Sequence, residues 1–160
     1  MSTNVHSVST TPAVSVENVS LRFGDFDALQ DINVDIFQGQ TLALLGHNGA
    51  GKSSLIKLIL GLIKPTSGQL TLGNVSNQQA VNLGYLPEDV SFYDKLTGHE
   101  VLSYFAALKG VESARVEQLI EEFELGYAQH KPLKTYSKGM KQRLGVAQAI
   151  LSRPNILLLD

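Results

Sequence analysis

The sequence contains no cysteine, which excludes disulfides and thiolate metal centres. Its four histidines, His6, His47, His99 and His130, are too scattered to propose a metal cage. Neither sign of charge prevails, since 13 basic and 15 acidic residues leave a net charge of -2. A general attraction to polyanions is therefore not expected, and nucleic acid is not an expected partner. Long apolar runs are also missing. Stretches such as Leu42 to Leu45 fall far short of the ~20 residues of a membrane-crossing helix. The opening "MSTNVHSVSTTP" has neither the basic patch nor the apolar core of a secretory signal, and residues 1–12 read as a disordered lead into a cytoplasmic domain. No internal repeat is found, and no low-complexity tract beyond that lead.

What is present suits one domain: 160 residues can bury about 68–70% of their unfolded surface without staples. Residues 14–23 and 31–37 alternate apolar with polar, as half-buried antiparallel strands do. "TLALLG" (41–46) is unbroken apolar, the pattern of a strand covered on both faces, and a helix is expected over 51–63. "KPTSGQLTLG" predicts a turn and a short strand, and "VNLGYLPE" (81–88) another strand closed by Pro87. From about 89 to 135 the period becomes helical, with Val101, Leu102, Phe105 and Leu108 on one face and Val116, Leu119, Ile120 and Phe123 on another. A further helix is expected from near Ser137, followed by a strand, "ILLLD".

The stretch "GHNGAGKS", Gly46, His47, Asn48, Gly49, Ala50, Gly51, Lys52 and Ser53, fits G-x-x-x-x-G-K-[ST] between an expected strand and helix. Glycines let the backbone turn its N–H groups inward, and the following helix points its positive end at the same place. That chemistry suits a phosphate. Lys52 would reach the β/γ-phosphates and the Ser53 hydroxyl would bind Mg²⁺, with Ser54 beside it. Asp160, ending a second apolar strand, has the residue type that holds Mg²⁺-bound water in phosphate-loop enzymes. A second anion-binding helix end is offered by "YSKGMKQR", where Ser137 is a candidate N-cap and Gly139 exposes backbone. Lys131, Lys134, Lys138, Lys141, Arg143 and Arg153 lie between Leu125 and Leu159 with no acid among them, so that end sits in a positive field or on a solvated basic face.

These motifs, in this order and over nearly the whole chain, resemble the nucleotide-binding subunit of ABC transporters. "GHNGAGKSS" is similar to that family's phosphate loop, "YSKGMKQR" to a variant of its LSGGQ-type signature, and "ILLLD" to its Walker B strand. The resemblance implies an α/β P-loop NTPase fold with an antiparallel β subdomain and a helical insert at about 89–135, residues 13–160 forming an incomplete ABC-type domain. It implies ATP and Mg²⁺ as cofactors, with ATP held between one subunit's phosphate loop and Ser137, Lys138, Gly139 and Met140 of another. Phe23, before Gly24, matches the aromatic that stacks on adenine, although a plain core role is equally open. Glu88 matches the loop whose glutamine senses Mg²⁺ and the γ-phosphate, or is a solvated acid after Pro87. Lys52, Glu88 and Asp160 are thus the expected catalytic group, and Ser53, Glu88 and Asp160 the expected metal group.

The wording "GYLPEDVSFYDKLTGHEVLSYFAALKG", together with "YSKGMKQRLGVAQAIL", most resembles the subgroup serving copper-site maturation of nitrous-oxide reductase, which carries Glu where others carry Gln. By that resemblance an integral membrane permease contacts about 88–110, placing the protein peripherally at the inner face of the plasma membrane. Direct copper binding is not expected of a chain without cysteine. In the family the residue after the Walker B aspartate is the glutamate that activates water, and a switch histidine follows later. The chain is accordingly expected to be the N-terminal portion of a longer ATPase. It is expected to bind Mg·ATP weakly and to turn it over very slowly, because general-base help is worth ~10²–10⁴-fold. An uncovered sheet edge beside Leu157 and Leu159 is also expected to favour aggregation.

Two other classes fit the phosphate loop. A GTPase would need N-K-x-D and D-x-x-G, which the sequence lacks, and a kinase would draw on only Arg22, Arg115, Arg143 and Arg153. A non-hydrolysing, ATP-dependent dimerisation clamp is the other alternative.

Overall fold

The computed structural model describes residues 11–73 and 81–160. Most of the expected disordered lead, residues 1–10, lies outside the described residues. The chain divides into two compact units, Met1–Val81 and Asn82–Asp160.

In the first unit, β1 (Val14–Phe23) and β2 (Phe26–Ile36) form an antiparallel hairpin, and β3 (Ser67–Leu72) pairs with the other side of β1. The hairpin turns through Gly24 and Asp25, and Gly24 takes φ 58, a conformation that suits glycine in a two-residue loop. Alternation holds along β1: Val14, Val16, Val19 and Leu21 are buried, with a register break near Asn18. Helix α1 (Lys52–Ile59) buries Leu55, Ile56, Leu58 and Ile59 and packs against β2 and β3. It ends four residues before the expected 63 (63 − 59 = 4), because Gly61 at φ 71 closes it. There Gly61 N–H donates to Leu58 and Leu62 N–H to Lys57, capping the last carbonyls.

The expectation for 41–46 is not met. No strand is formed there, Leu42 is exposed and Leu45 is 92% exposed. An apolar run becomes a strand only with a ladder to pair with, and among the described residues no strand is paired with this segment.

The second unit begins with β4 (Leu83–Leu86) and closes with β5 (Ile156–Leu159), a parallel pair. Between them lie α2 (Gly98–Lys109), α3 (Ser113–Glu122), a 3₁₀ turn at Leu133–Thr135 and α4 (Lys138–Ile150). A capping box starts α2: Glu100 N–H donates to the Thr97 hydroxyl, and Thr97 N–H to the Glu100 carboxylate at 2.8 Å. The core gathers Val101, Leu102, Val116, Leu119, Leu125, Leu133, Leu144 and Leu151. Phe105 and Phe123 pack against it, as their period predicts. Leu108 does not: it is 65% exposed, although Ala106 two residues before it is buried. Leu157 and Leu159 leave their side chains exposed on β5.

Candidate functional site

In the first unit the phosphate-loop motif forms a tight, exposed turn. Ala50 N–H donates to the His47 carbonyl at 3.1 Å, and Gly49 and Gly51 both take φ 87. Gly51 caps α1, and Leu55 N–H donates to its carbonyl at 2.9 Å. Only glycine suits this position on two counts. Its φ is left-handed, and a Cβ would fall 2.5 Å from the Ala28 carbonyl oxygen and 2.7 Å from Leu29 Cδ2 on β2. Lys52 folds back over the loop, its ammonium donating to the carbonyls of Gly46 at 2.8 Å and His47 at 2.9 Å. His47 is held locally, Nδ1 lying 2.8 Å from the Asn48 carbonyl oxygen. Ser53 and Ser54 occupy the first turn of α1, where no acid opposes an anion.

Phe23 ends β1 and is 53% exposed, which separates it from the core role that the sequence leaves open. Its cross-strand neighbour Phe26, which sequence reading passed over, is 61% exposed.

In the second unit the parallel register pairs Leu86 with Leu159, so Glu88 and Asp160 leave their strands at the same, C-terminal end. Ligands of α/β sheets bind outside that end. Glu88 is exposed. Asp160 N–H donates to the Leu86 carbonyl at 3.0 Å, and its carboxylate accepts from the Tyr85 hydroxyl at 3.4 Å. Ser137 is the N-cap of α4 as expected, its hydroxyl accepting from Met140 N–H at 3.2 Å. Lys138 and Gly139 are exposed beside it. The turn is anchored by Tyr136, whose hydroxyl donates to the Ala128 carbonyl at 2.9 Å and whose ring end leaves no room for a Cβ at Gly98. The body of α4 lies close to β4, since a Cβ at Gly145 would sit 2.8 Å from Leu86 Cδ1. Tyr85 and Tyr136 were not singled out from the sequence; their only signal is a tyrosine directly preceding or lying near each motif.

Both tyrosines ionise less readily than usual. Burial raises the pKa of Tyr85, helped by the Asp160 charge, and burial also raises that of Tyr136. A raised acid pKa means that the folded unit keeps a proton which the unfolded chain releases. Stability is therefore complete below the ordinary tyrosine value of about 10 and falls as pH rises through it. Denaturant melts at increasing pH should show this loss, and the double replacement Tyr85→Phe with Tyr136→Phe should flatten it.

Among the described residues, no three His, Cys, Asp or Glu side chains form a group able to hold a metal ion. No helix among them is long and apolar enough to cross a membrane.

The ABC transporter family profile matches residues 29–160. The chain belongs to this family. The ABC fold follows: a mixed α/β P-loop NTPase domain with an antiparallel sheet. An ABC transporter ATP-binding protein of Bacillus subtilis (strain 168), YdbJ, is 39% identical over 155 residues, covering 93% of this chain and 50% of that protein. The bacitracin transport ATP-binding protein BcrA of Enterococcus faecalis is 36% identical over 153 residues, covering 92% and 50%. A solved ATP-binding subunit of an ABC transporter superposes with a TM-score of 0.79 at 30% identity, covering 92% of this chain and 65% of that one. The chain spans about half the length of these two curated relatives.

Proposed function

We propose that the chain is the ATP-binding portion of an ABC transporter ATPase, binding Mg·ATP through residues 46–54. The reading is carried by the loop itself, in which two left-handed glycines open α1 and the Lys52 ammonium lies over the turn. Phe23 offers a stacking face for adenine. In this reading Ser137, Lys138, Gly139 and Met140 close on the nucleotide of a second copy, giving an ATP-sandwiched homodimer. The candidate Mg²⁺ ligands are Ser53 in the first unit and Glu88 and Asp160 in the second, each with an oxygen of the hard type that Mg²⁺ selects. When bound, Mg²⁺ neutralises phosphate charge, while Lys52 and the loop amides orient the triphosphate.

The whole protein would hydrolyse ATP to drive a membrane permease docked on about 88–110, at the inner face of the plasma membrane. Residues 13–160 would then be one ABC-type domain with its helical insert at about 89–135. Copper-site maturation of nitrous-oxide reductase is the finer reading. It is supported by the wording of residues 84–110 and by Glu88 in place of glutamine. Cells lacking the protein should then make that reductase without its copper; fully loaded reductase would remove this reading. Calorimetry of the chain with ATP and Mg²⁺ tests the ATP-binding reading. Saturable heat with one site per chain is expected, and no heat from folded protein would end it.

A further inference from the structure

We infer that Phe26 is a second nucleotide-binding aromatic, forming with Phe23 a two-ring platform for a purine base. The inference rests on the phosphate-loop reading and deepens it. Phe23 and Phe26 are register partners flanking the β1–β2 turn, and directly opposed residues of an antiparallel pair project from the same face. That face is identified by alternation: Val19, Leu21 and Phe23 share one side of β1, and Leu21 pairs with Leu29. Val19, Leu21 and Leu29 are buried, at 0%, 3% and 7% exposure, whereas the two rings that continue the row are 53% and 61% exposed. An apolar row that is covered along its length becomes open at the hairpin tip.

The open end of this row lies next to the phosphate loop along β2. Between Leu21 and Arg22 the register shifts so that Arg22 pairs with Asp27, which leaves Ala28 as an extra residue on β2. At this bulge the Ala28 carbonyl and the Leu29 side chain press against Gly51, the last glycine of the phosphate loop. Phe26 stands two residues from that contact, about 7 Å along the strand. The β2 strand that presents Phe26 at the hairpin tip thus touches, two residues further on, the last glycine of the loop proposed to hold the phosphates. On the other face Arg22 pairs with Asp27 at 3.4 Å and with Asp25 at 3.8 Å, bracing the tip without occupying the ring side. A base stacked on one ring and touching the second gains affinity with little preference in hydrogen bonding, since every base has a π-face.

The test compares ATP with inorganic tripolyphosphate, which has the phosphates without the base, against the full chain and its Phe26→Ala, Phe26→Leu and Phe23→Ala variants. Phe26→Ala should weaken ATP about fivefold to a hundredfold, the range for losing a base–aromatic stack. Tripolyphosphate affinity should stay within about twofold, and Phe26→Leu should fall between. Both rings are exposed, so unchanged melting is the folding control. Tripolyphosphate binding with ATP affinity unmoved by Phe26→Ala overturns the inference alone. So does a Phe26→Ala effect limited to self-association, which would make the ring a protein contact. Failure of the parent chain to bind tripolyphosphate and ATP overturns the phosphate-loop reading and this inference with it.

Discussion

Replacing Lys52 with alanine lowers the affinity of the chain for ATP by about a hundredfold. The ammonium is placed by hydrogen bonds over the loop, 2.8 Å from the Gly46 carbonyl oxygen and 2.9 Å from that of His47. A hydrogen bond to a charged group is worth up to about 3 kcal/mol, and each 1.4 kcal/mol is about tenfold in affinity. Stability should hardly change, because both of these acceptors belong to exposed loop residues. Lys52→Arg should not rescue binding, since a planar fork cannot replace a compact ammonium inside so tight a turn. Calorimetric titration with ATP decides it: an affinity within about threefold of the parent would mean that the loop does not grip a triphosphate.

Leu119→Ala is expected to cost about 2–5 kcal/mol of the stability of the second unit. Leu119 is fully buried on α3 within the cluster that includes Leu102, Leu125, Leu133 and Leu144. With so many helices meeting there, collapse onto the void is restricted, so the lost contacts and the cavity both count. Domains are stable by only about 5–15 kcal/mol, so such a loss is a large share. Chemical denaturation followed by circular dichroism measures it. A shift below about 1 kcal/mol would show that the helices do not share one packed core.

Much of this was legible in the chain itself, and the exceptions have particular causes. The β1 strand, the β4–β5 segments and the N-cap at Ser137 follow from alternation, apolar runs and capping chemistry, which are local. The turn at 46–53 is legible because the left-handed backbone at Gly49 and Gly51 is a local demand, to which β2 adds its crowding of Gly51. Residues 41–46 were misjudged because an apolar run signals burial, whereas a strand requires a partner ladder that lies elsewhere in sequence. Leu108 was misjudged because helical period locates a face but not where the covering element stops. Phe26 and Tyr85 were missed for a related reason. Their neighbours Phe23 and Asp160 are set by strand pairing across a turn and across 75 positions of sequence, and no local pattern reports such pairing.

The fit of α4 against β4 has a mechanical consequence. Gly145 meets Leu86 and Val90 so closely that a methyl would have to displace them, and a Cβ at Gly84 would strike the Ala149 carbonyl. Surfaces meshed at two points a helical turn apart resist sliding, because interiors at native density offer no slack for shear. The Ser137 end of the helix and the strand end that carries Pro87 and Glu88 are therefore held to one another as a single stiff piece.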